Sequence, residues 1–102
     1  DHLFLPALVM GCDGTVSGCS GPFPESFVEV YRKFREGDMA GARAAQDYAN
    51  DLVWLMKSGA DMSIFKNILT MRGVPGGYMR RPLLDLSEED VAKLREAVAK
   101  YI

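Results

Sequence analysis

Histidine and cysteine are scarce in this chain, and each shortage closes off a kind of chemistry. One histidine, His2, and two cysteines, Cys12 and Cys19, stand among 102 residues. No C-x-x-C pair occurs, so the usual ligand sets for zinc have nothing to start from. The cysteines leave room for one disulfide, but inside a Gly-rich turn segment they read as free thiols of a reducing, cytoplasmic compartment. Basic charge is short as well. Twelve Lys and Arg face fourteen Asp and Glu, a net charge of −2, whereas phosphate binding needs a clustered basic surface. Arg32-Lys33 and Arg80-Arg81 are adjacent basic pairs that make no patch, so nucleic acid is not an expected partner. A membrane is not expected either. The longest apolar run, Leu3 to Met10, falls far short of the ~20 residues that cross a bilayer, and it lacks the basic leader of a signal peptide.

What the chain does have is helical periodicity, punctuated by glycine and proline. Its length allows one domain at most, with a modest core. Leu3 to Met10 reads as a short buried helix beginning near Asp1 or His2, with Pro6 tolerated in its first turn and Gly11 as its stop. Gly11-Cys12-Asp13-Gly14 is a turn, and Thr15-Val16-Ser17 a brief strand. Pro24 opens a helix whose Phe27, Val30, Tyr31 and Phe34 follow the i, i+3, i+4, i+7 stripe, and Gly37 ends it. Asp38 caps the next helix, which carries Ala42, Ala45, Ala49, Leu52, Val53 and Met56 on one face until Ser58-Gly59 breaks it. A further helix runs from about Asp61 to Arg72, with Phe65, Ile68 and Leu69 inward and Gly73 after it. "VPGGYMRRPLLDL" is an extended connector. Ser87 and Asp90 form a capping box for the last helix, Leu86 and Val91 its hydrophobic staple, and Val91, Leu94, Val98 and Tyr101 its buried stripe. The chain is therefore mainly α, ordered as helix, one strand, then four helices. A lone strand cannot satisfy its backbone groups without neighbours that this chain does not contain. That, together with an apolar start directly after Asp1 and His2, is expected of a piece of something longer.

Placed on these elements, the motifs resemble a known family. "GCDGTVSGCSGPFPESFVEVYRKFREGDMAGARAAQ" is similar to the last β/α unit of the dihydrodipicolinate synthase / N-acetylneuraminate lyase family, and "RRPLLDLSEEDVAKL" to its C-terminal signature. The combination is the specific part: GxDGxxS, then P-E, then EGD…A…Q, then R-P-L-L-x-L-S. The resemblance covers essentially the whole chain. It implies the C-terminal portion of a (β/α)8 TIM barrel. Residues 1–37 would be the end of the barrel (helix 7, strand 8 and helix 8), and residues 38–102 a three-helix C-terminal extension. It also implies class I aldolase chemistry, in which a lysine of the sixth strand forms a Schiff base with pyruvate or another 2-oxo acid and a tyrosine of the fourth strand shuttles protons. Both would lie upstream of Asp1, so this chain by itself would be inert. No metal or organic cofactor is implied.

The resemblance also marks three positions as substrate-binding. Val16 matches the eighth-strand residue whose backbone carbonyl faces the pyruvate. Gly18 matches a position that carries a hydroxyl side chain in sialic acid lyases; glycine cannot supply that contact, which disfavours sialic acid. Asp1 matches an aspartate that, in lyases acting on sugar acids, hydrogen-bonds substrate hydroxyls, whereas His2 departs from those lyases' acidic residue.

Plainer readings account for the other reactive side chains. His2 is alone. Lys66 in "FKNIL" could form a Schiff base if desolvated, but the family carries a structural lysine near there. Asp47, Asp51 and Asp61 read as solvated helix faces and not as a metal site, Cys19 has no partner base, and Gly14 answers a turn and not a phosphate. A different class of reading makes the chain a stand-alone helical module for oligomerisation or interaction. Under either reading a homo-oligomer is expected. Leu3, Phe4, Leu5, Leu8, Val9 and Met10 would otherwise pack on absent barrel elements, and the unpaired strand offers an open edge.

Overall fold

The computed structural model describes all 102 residues. It contains α1 (Phe4–Val9), α2 (Pro24–Arg35), α3 (Met39–Leu55), α4 (Met62–Met71) and α5 (Glu88–Val98), with one turn of 3-10 helix at Lys57–Gly59 between α3 and α4. The chain forms two compact units, Asp1–Ser58 and Gly59–Ile102. The strand expected over Thr15-Val16-Ser17 does not form, and residues 12–17 have no regular structure. The reason lies in the backbone: a strand exists only through ladder partners, and no second strand is present to supply them.

The helices begin and end where side-chain and glycine chemistry place them. Asp38 caps α3 by accepting the Gly41 N–H at 2.8 Å. Asp61 caps α4 through the Ser63 N–H at 3.0 Å, and Ser87 caps α5 through the Asp90 N–H at 3.2 Å. Each such cap satisfies a donor that the helix itself leaves orphaned, typically contributing about 1 kcal/mol. Three helices close in the same way. After α2 the Asp38 N–H reaches back to the Lys33 carbonyl and the Gly37 N–H to Phe34. After α4, Val74 and Gly73 bond Leu69 and Thr70, and after α1, Cys12 and Gly11 bond Ala7 and Leu8. These are Schellman closures, which need a left-handed residue in their midst. Gly37 at φ 79° and Gly73 at φ 87° provide it.

In the first unit, α2 and α3 pack together and α1 lies against both. Ala42 and Ala49 are completely buried, as is Val30 of α2; small residues at this contact let the two helices approach closely. Phe27, Leu52, Val53 and Met56 fill the rest of the core. Phe4, Leu5 and Leu8 of α1 join it, which corrects the expectation that the whole apolar run waits for absent elements. Leu3, Pro6, Val9 and Met10 of that run face water. Burying side chains of this size is worth about 1.5–3 kcal/mol each, enough to seat even a six-residue helix that would not form alone. In the second unit α4 and α5 pack through Ile64, Phe65, Ile68, Leu94 and Val98, all buried. The connector between them stays irregular from Pro75 to Arg80 and on to the Ser87 cap.

Candidate functional site

The segment 12–23 is bent by its own hydroxyls. Ser17 uses both polar groups on Ser20: its Oγ accepts the Ser20 N–H at 3.0 Å, and its carbonyl accepts the Ser20 Oγ–H at 2.9 Å. The Gly21 N–H then donates to the Gly18 carbonyl at 3.1 Å. This turn drives Cys19, Pro22 and Phe23 inward and aims the chain into α2, where the Ser26 hydroxyl donates to the Phe23 carbonyl at 3.0 Å. Burial pushes the Cys19 thiol above its usual range, so it rests as a neutral, weakly nucleophilic group. Cys12 is free and exposed.

Between this segment, α1 and α2 runs a cleft of about 250 Å³, lined by Phe4, Thr15, Ser20, Pro24, Phe27, Val28 and Tyr31. Its floor is aromatic, with the Phe4 and Phe27 rings tilted by 39° at 6.4 Å between centroids. The lining offers two hydroxyls and a phenol, and no charged group.

None of the three sequence-predicted site residues, Asp1, Val16 and Gly18, lines this cleft. Val16 is wholly exposed, at 105% of its reference area. Gly18 is exposed and gives its carbonyl to the turn. Asp1 is exposed, and its carbonyl accepts from the Gln46 side chain at 3.3 Å. No hydrogen bond joins Asp1 to Val16 or Gly18. His2 stacks on Trp54 of α3, with centroids 5.6 Å apart and an interplanar angle of 22°.

Lys66 is committed elsewhere. Its Nζ donates to the Gly76 carbonyl at 3.1 Å, while the Thr70 hydroxyl accepts the Gly76 N–H at 3.1 Å and donates to the Lys66 carbonyl at 3.0 Å. The three residues clasp the connector onto α4. Asp61 is an N-cap that also accepts the Ser63 hydroxyl at 2.7 Å, and no group of three or more His, Cys, Asp or Glu side chains converges.

Gln46 was missed by the sequence reading as a residue with a task. It is buried, and its Oε1 accepts the Leu5 N–H at 2.7 Å. Its Nε2 donates to Asn50 Oδ1 at 2.9 Å and to the Asp1 carbonyl. The signal was available: an amide on the apolar face defined by Ala42 and Ala49 has to find polar partners.

Comparison with known proteins places this arrangement. The model of the Dihydrodipicolinate synthetase family matches residues 1–101. The chain is 36% identical over 99 residues to an uncharacterized DapA-like lyase of Halobacterium salinarum, covering 97% of this chain and 33% of that protein. It is 31% identical over 101 residues to the N-acetylneuraminate lyase of Clostridium perfringens, covering 99% of this chain and 35% of the lyase. With the 4-hydroxy-tetrahydrodipicolinate synthase of Anaeromyxobacter dehalogenans the identity is 32%, over 99% of this chain and 34% of the synthase. In fold it is similar to the N-acetylneuraminate lyase of Mycoplasma synoviae, with a TM-score of 0.87 at 24% identity over 99% of this chain and 35% of that one. The Sulfolobus 2-keto-3-deoxygluconate aldolase superposes with a TM-score of 0.82 at 20% identity, over 98% of this chain and 34% of that one. The fold is thus one shared with about a third of each of these two proteins. The chain belongs to the dihydrodipicolinate synthetase family, and it spans about a third of the length of the curated relatives it matches.

Proposed function

We propose that this chain is the C-terminal part of a (β/α)8-barrel class I aldolase or synthase that acts on pyruvate or a related 2-oxo acid through a lysine Schiff base. The observation that carries the reading is the continuous family match over residues 1–101, against relatives three times as long. In such a barrel the site is built at the C-terminal ends of the strands. Residues 15–17 would there gain the ladder partners they lack here, and the Val16 carbonyl would face the pyruvate. Asp1 would meet hydroxyls of the substrate's distal part, and Gly18 leaves room where a hydroxyl side chain would touch sialic acid. The nucleophilic lysine and the proton-shuttling tyrosine would come from residues upstream of Asp1, in the same protein and in a reducing compartment.

The 102-residue chain is accordingly inert. Lys66 has its Nζ on a backbone carbonyl. Borohydride reduction in the presence of pyruvate tests this directly by mass. The full-length protein is expected to gain one pyruvyl adduct on a lysine upstream of Asp1, and the 102-residue chain none. An adduct on Lys66 would overturn the assignment.

A second reading, a helical module that associates through its N-terminal region, is favoured by one observation. Leu3, Val9, Met10 and Val16 are all largely exposed.

A further inference from the structure

Gln46 ties α1 to α3 across 41 and 45 residues of sequence. A glutamine amide has one acceptor oxygen and two donor hydrogens. Here the oxygen takes the Leu5 N–H, and the two hydrogens go to Asn50 Oδ1 and the Asp1 carbonyl. The orientation is forced: reversing the amide would set N–H against N–H at Leu5 and oxygen against oxygen at Asp1. The Leu5 contact also fills a gap in α1. Leu3, at the N-cap, makes no side-chain cap hydrogen bond, so the Leu5 N–H would be a buried orphan without Gln46.

We propose that Gln46 is a positioning residue. From the helix that follows the expected barrel end, it sets where Asp1 presents its side chain to the distal, hydroxyl-bearing part of the substrate. The proposal rests on the aldolase reading for the role of Asp1, and on the hydrogen bonds alone for the anchoring. Its two halves separate chemically. Glutamate at position 46, in its ionised form at alkaline pH, keeps an acceptor for the Leu5 N–H but has no hydrogen to give Asp1 or Asn50. Methionine, close in volume, has neither.

The test is made in the full-length protein, with Gln46→Glu and Gln46→Met beside the wild type. Three readouts are taken: amide exchange at Leu5, borohydride trapping of pyruvate, and steady-state kinetics on a 2-keto-3-deoxy sugar acid. In Gln46→Glu, Leu5 exchange stays slow, trapping is unchanged, and KM rises about three- to ten-fold, the effect of losing the hydrogen bond that holds the Asp1 carbonyl. In Gln46→Met, Leu5 exchange accelerates as well. Wild-type KM in Gln46→Glu, or trapping that falls in proportion to KM, would overturn the positioning role. A wild-type protein that traps no pyruvate would sink the aldolase reading instead. The anchor would then stand or fall on Leu5, and equal exchange in all three proteins would overturn it.

Discussion

Gly76 lies closer to α4 than any residue with a Cβ could. A methyl group built there would collide with the Lys66 carbonyl oxygen and stand 2.7 Å from its carbon and 2.8 Å from its Cα. The collision is with backbone, which cannot rotate away. The clasp made by Lys66 and Thr70 depends on this approach, because both hydrogen-bond Gly76's own peptide groups. Gly76→Ala is therefore expected to destabilise the second unit by about 1–3 kcal/mol, as overpacking does, and to expose the connector. Chemical denaturation gives the first quantity, and limited proteolysis within 74–86 the second. Lys66→Met should open the connector less, since the Thr70 contacts survive. Unchanged proteolysis in Gly76→Ala would show that the connector is not held by this contact. The same geometry explains why Lys66, an attractive nucleophile in the bare sequence, is a fastener in the fold.

At the scale of the element, the start of α3 couples helix formation to acid. The Gly41 N–H holds the Asp38 carboxyl below its ordinary value of 3.8, helped by the Lys33 ammonium at 3.4 Å. Glu29 is lowered likewise, first by its hydrogen bond to Arg32. The unfolded chain thus takes up these protons at higher pH than the folded one. The stabilisation is whole above the unfolded values and is lost as pH falls through the depressed folded ones. Asp38→Asn keeps an acceptor for Gly41 but no titrating charge, so its stability should change less between pH 5 and pH 2 than that of the wild type. Urea midpoints across that range decide it, and parallel pH profiles would refute the role of Asp38. Caps of this kind are why the long helices were legible in the sequence: Asp38 and Ser87 each announce a start through a local rule, whereas Asp61, taken for a solvated helix face, proves to be a third cap. Gly37 and Gly73 announce ends in the same way. Thr15-Val16-Ser17 was not legible because strand formation is not local; β-branched residues favour it, but only partners create it. Gln46 escaped for a similar reason. Its position on an apolar face signals a need for partners, and Asn50 lies one turn on, but Leu5 and Asp1 are 41 and 45 residues away and nothing nearby in the chain names them.

For the molecule as a whole, the first unit divides its N-terminal apolar residues between two fates. Phe4, Leu5 and Leu8 are spent on the core, whereas Leu3 is 63% exposed, Val9 56%, Met10 84% and Val16 fully so. In a complete barrel the segment around Val16 would gain strand neighbours on both sides. Without them it offers unpaired backbone N–H and C=O groups beside bare apolar side chains, a combination that promotes association. The 102-residue chain is therefore expected to self-associate as its concentration rises, most simply as a two-fold dimer. Light scattering over a dilution series measures this. The informative variant changes exposed residues and leaves the core alone: Met10→Lys with Val16→Lys should yield monomer with unchanged helical circular dichroism. Leu8→Asp would be ambiguous, because Leu8 is buried and its loss would unseat α1. Monomer at every concentration in the wild type would mean that the exposed apolar residues are too dispersed to drive pairing. Association that persists in the double lysine variant would place the contact elsewhere on the chain.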